Sequence, residues 1–127
     1  MKKIILFALA TLIIFSFGSC RKNQMGGKAS VKGRVLHHSL PIPNAYIYIK
    51  FNATEFPGDD YTKYDTYVKS DSEGNYVIDN FYKGNYYLYA MGYDYTIAAP
   101  YLVKGGLSVS VRNKEHLNKD IAVTEGD

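Results

Sequence analysis

The chain has 127 residues, room for one ordinary domain. Its 15 basic and 12 acidic side chains leave a formal charge of +3, and a single cysteine leaves no internal disulfide. So small an excess makes no electrostatic case for a nucleic-acid partner.

The first segment reads as a leader. Lys2 and Lys3 precede an apolar run, "IILFALATLIIFSF" over 4–17, and then Gly18, Ser19 and Cys20. A positive start, an apolar core and small residues before a cut describe a secretory signal peptide over 1–19. Fourteen residues make about 21 Å of helix, short of the ~30 Å hydrocarbon core of a bilayer, so a membrane span is the weaker reading. "FGSC" resembles a bacterial lipobox, although Phe17 stands where leucine is usual. The resemblance implies that Cys20 becomes the first mature residue, thioether-linked to diacylglycerol. Two or three acyl chains hold a protein on a membrane where one does not. The expected location is the cell envelope, as an outer-membrane lipoprotein of a Gram-negative bacterium. Without Lys2 and Lys3 the balance is 13 basic to 12 acidic.

Residues 20–28, ending in "RKNQMGGK", are polar with a Gly-Gly pair and read as a flexible tether. The domain is expected over 29–127. There the period is two almost everywhere. Val31, Gly33 and Val35 alternate with Lys32 and Arg34; Ala45, Ile47, Ile49 and Phe51 alternate with Tyr46, Tyr48 and Lys50. Further along, Tyr76 and Ile78 alternate with Val77 and Asp79; Tyr86, Leu88 and Ala90 alternate with Tyr87 and Tyr89; Leu107, Val109 and Val111 alternate with serines. These runs are rich in β-branched and aromatic residues and are bounded by Gly, Pro, Asn or Asp. No segment of the expected domain carries a 3.6-residue stripe. Short strands at close spacing predict an antiparallel two-sheet sandwich or barrel. Turns are expected at "HHSLPIPN" (37–44) and at "NATEFPGDD" (52–60), which carries Pro57-Gly58.

Taken in order, Gly33-Val35, Pro41 to Ile49, Ser70 to Ile78 and Gly84 to Tyr93 resemble the carboxypeptidase regulatory-like domain, a transthyretin-like, prealbumin-type sandwich. The resemblance implies seven or eight strands in two sheets, with 94–103, 106–112 and 118–123 supplying the last ones. It also implies that Asp71 and Gly74 in "SDSEGNYVI" form a β-turn, with Asp71 accepting backbone N–H groups and Gly74 left-handed. The competing reading of that stretch is a calcium loop. It fits poorly, because glycine follows Asp71 by three positions rather than five and no acidic residue stands where the bidentate ligand belongs.

Among possible sites, the adjacent histidines read as a solvated loop pair. His37 and His38 are adjacent and would face opposite ways in a strand, and His116 is distant in sequence. Some transthyretin-like proteins hydrolyse 5-hydroxyisourate, but the chain lacks their Tyr-Arg-Gly-Ser; the iron-ligand spacing of intradiol dioxygenases is also missing. No nucleophile signature is present. The expectation is no catalytic residue, no metal site and no cofactor beyond the lipid on Cys20.

Thirteen tyrosines and no tryptophan are the remaining signal. The resemblance places the strands of Tyr46/Tyr48 and Tyr87/Tyr89 side by side, so these four should share one outer face, with Tyr67 beside them. Such a face suits a glycan or peptide, or packs the chain as an accessory subunit against an envelope protein. Sheet propensity and cross-strand pairing explain the same tyrosines without a ligand.

Lipidation is directly measurable. A fatty-acid analogue fed to cells should label the wild-type chain and not Cys20→Ser; equal labelling of both would refute the anchor.

Overall fold

The computed structural model describes residues 25–125. The leader 1–19 and Cys20 lie outside the described residues. The alternating runs are strands: β1 (Met25–His37), β2 (Leu40–Pro41), β3 (Tyr46–Phe51), β4 (Thr66–Lys69), β5 (Asn75–Phe81), β6 (Gly84–Tyr93), β7 (Leu102–Val111), β8 (His116–Asn118) and β9 (Ile121–Ala122). One turn of 3-10 helix, Tyr61–Lys63, is the only helical element among the described residues.

The strands form two sheets. One has β1 between β2 and β5, with β8 and β9 also paired to β1; the other runs β4-β3-β6-β7. This is an all-β two-sheet sandwich, as the period of two predicts. The count exceeds seven or eight because the two-residue strands β2 and β9 pair with β1.

Alternation places the core. Val31, Val35, Ile78, Phe81 and Ile121 from one sheet meet Ile47, Ile49, Leu88, Val103 and Val109 from the other, all buried. Tyr76 and Tyr86 point inward and are also buried. Each hydroxyl reaches a backbone acceptor, Tyr76 to Lys119 O and Tyr86 to Tyr82 O at 2.6 Å, as a buried phenol requires.

Two boundaries differ from the sequence reading. First, β1 begins at Met25, inside the segment read as tether. Met25 pairs with Phe81 and packs against the core, so burial outweighs the glycine pair beside it. Second, 94–101 is a loop rather than the start of a strand. The Asp94 carboxylate accepts from Thr96 N at 2.9 Å and Thr96 Oγ at 2.6 Å, and Asp94 N donates to Tyr101 O at 2.8 Å. Local side-chain bonds of this kind compete with a ladder.

The stretch 70–75 is a turn. Asp71 Oδ1 accepts from Glu73 N and Asn75 N, each at 2.9 Å, and these bonds hold its carboxyl below the usual range, Asn75 contributing most. Gly74 N donates to Asp71 O at 3.1 Å, and Gly74 has a φ of 80°. Beside it, the buried Ser70 Oγ donates to Ile42 O and accepts from Ala45 N, both at 2.8 Å. It thus fastens the segment between β2 and β3, where Pro41 and Pro43 supply no N–H.

Gly74→Val should lower stability by at least ~1–2 kcal/mol, because a β-branched residue is disfavoured at positive φ. A Cβ there would also stand 2.9 Å from Pro41 Cβ. Urea unfolding measures the loss, and an unchanged midpoint would contradict it. Millimolar calcium should leave the melting temperature of the wild type unmoved.

Candidate functional site

The outer face of the β4-β3-β6-β7 sheet is built by register. Tyr48 on β3 stands opposite Tyr67 on β4 and Tyr89 on β6. Tyr46 stands opposite Lys69 and Met91, and Lys50 opposite Tyr87. Because Ile47 and Ile49 point into the core, these tyrosines must point out. Tyr46 and Tyr48 rings stack at 5.9 Å with 11° between planes, and Tyr67 leans on both at 5.5 and 6.1 Å. Lys69 Nζ sits 4.9 Å from the Tyr46 ring centre, within reach of a cation–π attraction.

The segment 52–65 folds down onto this face. Asp65 N donates to Ile49 O at 2.9 Å, and Asp65 Oδ2 accepts from Phe51 N at 2.7 Å, which anchors the far end of the loop on β3. Asp60 caps the helical turn by accepting from Thr62 N at 3.0 Å. Tyr61 then stacks on Tyr48 at 5.3 Å, and Tyr64 lies 6.0 Å from Tyr48 and 5.8 Å from Tyr89. Phe56 closes over Tyr89 at 5.2 Å and Tyr87 at 5.8 Å. The rings form one chain across the sheet: Tyr67, Tyr46, Tyr48, Tyr64, Tyr89, Phe56, Tyr87.

This loop divides the expected face. Tyr46, Tyr61 and Tyr67 are 39%, 54% and 55% exposed, and Tyr48 is half-buried. Around them lies an open basin of about 470 Å³, with Thr62, Asp65 and Thr66 on its rim. Tyr89, by contrast, is 2% exposed. Its direction is the outward one the alternation predicts, but Phe56 and Tyr64 cover it, so it is withdrawn from the accessible face. Its hydroxyl donates to Asp59 Oδ1 at 2.9 Å, and Lys104 Nζ stands 3.4 Å from the same oxygen. Tyr87 is half-buried, and its ring lies across Gly106, where a Cβ would come within 2.7 Å of it. The site thus comprises Tyr46, Tyr48, Tyr61 and Tyr67, with Tyr64 behind them. Tyr61, Tyr64 and Phe56 were missed because they lie in a polar loop; aromatic residues in "NATEFPGDDYTKYD" were the available signal.

Burial pushes the phenol of Tyr48 up, with neighbouring Tyr61 adding to it. Burial likewise raises Tyr64, to about 12, and raises Tyr87 and Tyr89. The half-buried and sealed phenols of this face are therefore held in their neutral form.

One histidine is placed differently from the sequence reading. His37 is not solvated: it is 2% exposed at the end of β1, and its Nδ1 lies 2.6 Å from Asp94 Oδ2. His38 is exposed but its ring leans on that of His37, with centres 4.3 Å apart and 48° between planes. His116 Nδ1 shares a hydrogen with Ser30 Oγ at 2.7 Å.

The chain matches no family model and no curated protein sequence. Its fold is similar to that of a protein from Pseudomonas aeruginosa to which carbohydrate binding is provisionally ascribed, known from a crystal structure, with a TM-score of 0.56 over 79% of this chain and 91% of that one. The two are 13% identical, so the likeness is one of fold.

The Tyr64 phenol gives a pH test. Its neutral form is favoured by folding, so its contribution is complete below the ordinary value of 10.0 and is lost as pH rises through about 12. Spectrophotometric titration of wild type against Tyr64→Phe should show one late-ionising phenol missing from the variant. An early-ionising phenol missing instead would contradict the placement.

Proposed function

We propose that the chain is a non-catalytic binding module of the cell envelope, held to the membrane by lipid on Cys20, with carbohydrate as the ligand of its tyrosine basin. The observation that carries this reading is the exposed shelf of Tyr46, Tyr48, Tyr61 and Tyr67. Stacked rings present flat apolar area, and their hydroxyls supply hydrogen bonds at the rim, a combination that suits the apolar face and hydroxyl edge of a sugar. Side chains already paired and stacked lose little freedom on binding. The polar rim argues for binding rather than chemistry: Asp65 is engaged by Phe51 N and lies 3.7 Å from Lys50 Nζ.

Two further lines support the reading. The fold is shared with the Pseudomonas aeruginosa protein named for carbohydrate binding. The motifs resembling the carboxypeptidase regulatory-like domain fall in chain order on β1, on β2 and β3, on the Asp71 turn and β5, and on β6. A second reading, an accessory subunit of an envelope complex, draws on the exposed cluster of Tyr93 at the end of β6 with Tyr95 and Tyr101 in the loop that follows, where rings meet at 6.2 and 5.1 Å.

The paired variant Tyr46→Ala/Tyr67→Ala removes two exposed rings and should cost at most ~1 kcal/mol of stability per cross-strand contact. On a glycan array, wild type should retain a carbohydrate class that this variant loses, with the two melting curves nearly superposed. Equal glycan binding by both proteins would remove the basin from consideration. No glycan bound by either protein, with an envelope-protein partner lost in a pull-down by Tyr95→Ala/Tyr101→Ala, would favour the subunit reading.

A further inference from the structure

At the opposite end of β3 from the aromatic loop, three chain segments meet. The ladder of β1 ends at His37, which pairs with Leu40 across a two-residue turn made by His38 and Ser39. Both turn residues have positive φ, 50° and 69°, as a type I′ hairpin requires. An extended strand would send adjacent histidines to opposite faces; the left-handed His38 brings its ring back over His37 instead. The second segment is the loop after β6, which presents Asp94. The third is the C-terminal run. β9 lies parallel to β1, with Val35 beside Ile121 and Leu36 beside Ala122, and Val123 N donates to Leu36 O at 2.9 Å. Two residues further on, Glu125 arrives beside His37.

His37 is the informative group. Its Nδ1 faces Asp94 Oδ2 at 2.6 Å, and that carboxylate's other oxygen is held by Thr96. With Nδ1–H donating to that carboxylate, the neutral form of the ring carries its lone pair on Nε2. Nε2 is buried, and among the described residues it has no hydrogen-bond partner. Buried polar atoms without partners are rare, and each needs an explanation. Nε2 points toward Glu125, whose Oε1 is 3.7 Å away, too far for a hydrogen bond. One ligand atom from each of His37, His38 and Glu125 lies within 4.8 Å of the other two.

We propose that His37 Nε2, His38 and Glu125 bind a divalent cation of the zinc class, with Asp94 as the residue that orients His37. Two imidazole nitrogens and one carboxylate oxygen select zinc over calcium or magnesium, which take oxygen ligands. The carboxylate–histidine–metal arrangement fixes the tautomer and ring plane of the buried ligand. Tetrahedral ligands stand ~3.3–3.5 Å apart around zinc, so the gap closes by rotation of His38 and Glu125. Both are exposed and free to rotate, Glu125 with 59% of its side chain accessible. Their exposure leaves the fourth position open to water or to an anionic ligand. The bound ion would also tie the C-terminal run to the β1–β2 hairpin.

The test uses full-length, untagged protein in mild detergent, with Co²⁺ as a spectroscopic probe and Zn²⁺ as competitor. The expected result is one Co²⁺ per chain with the intense visible absorption of a tetrahedral site, displaced by Zn²⁺ and not by Ca²⁺. Asp94→Asn should weaken affinity on the order of 10–100-fold, and loss of a direct ligand should weaken it more. His37 is buried and its variants are liable to misfold, so the deciding variants are His38→Ala and Glu125→Ala. Both should keep the wild-type melting curve without metal and lose the tetrahedral spectrum. His116→Ala, elsewhere on the sheet, should retain it. No tetrahedral spectrum in the wild type, or one unchanged in His38→Ala and Glu125→Ala, would overturn the site.

Discussion

The backbone hydrogen bonding of β1 is the constraint from which the rest follows. Every strand of its sheet pairs with β1: β2 and β5 antiparallel, β8 and β9 parallel. A central strand with an open edge would leave a row of buried N–H and C=O groups unpaired. Here the C-terminal run fills that edge. Ser30 N donates to Glu115 O, Lys119 N to Lys32 O and Val123 N to Leu36 O, all between 2.8 and 2.9 Å. Parallel strands advance together, so the end of β1 and the end of the described chain reach the same corner. The meeting of His37 with Glu125 is thus a by-product of edge saturation. So is the acceptor for Tyr76, since the same run delivers Lys119 O to its hydroxyl.

On the other sheet the corresponding constraint is side-chain period. Placing Ile47 and Ile49 in the core obliges Tyr46 and Tyr48 to face out, and the loop 52–65 then determines which tyrosines stay accessible. That loop is held by polar anchors, Asp65 on Phe51 N and Asp59 on the Tyr89 hydroxyl, and by the rings it lays on the sheet. Its contacts with Tyr87 and Tyr89 join residues far apart in the sequence.

These two layers of organisation differ in how far the sequence exposes them. The sandwich was legible because alternation is a local property: Tyr86 against Tyr87, or Val109 against Ser108, states its side without any knowledge of partners. The inward tyrosines could be separated from the outward ones on that basis alone. Coverage is not local. Tyr89 alternates to the same side as Tyr87 and stands opposite Tyr48, and only the path of a loop some thirty residues earlier decides that it is sealed. The histidines show a similar limit. The rule that neighbours in a strand diverge is sound, but it fails where the strand gives way to the turn expected over 37–44, and "HHSL" carries neither Asn nor Gly to show that the turn takes positive φ at His38 and Ser39. Asp94 was hidden for the opposite reason, as a turn-forming side chain within an otherwise strand-like composition.

The chain of rings across the outer face also has an optical consequence. With thirteen tyrosines and no tryptophan, the protein's ultraviolet emission comes from phenols alone. From Tyr67 through Tyr46, Tyr48 and Tyr64 to Tyr89 the phenol rings lie 5.5 to 6.0 Å apart, close enough for excitation to pass between like chromophores. Light absorbed at sealed Tyr89 can therefore leave from exposed Tyr46 or Tyr67, with its polarisation scrambled on the way. A change in the surroundings of the exposed rings would therefore be felt in the emission of the whole chain of phenols, the sealed Tyr89 included.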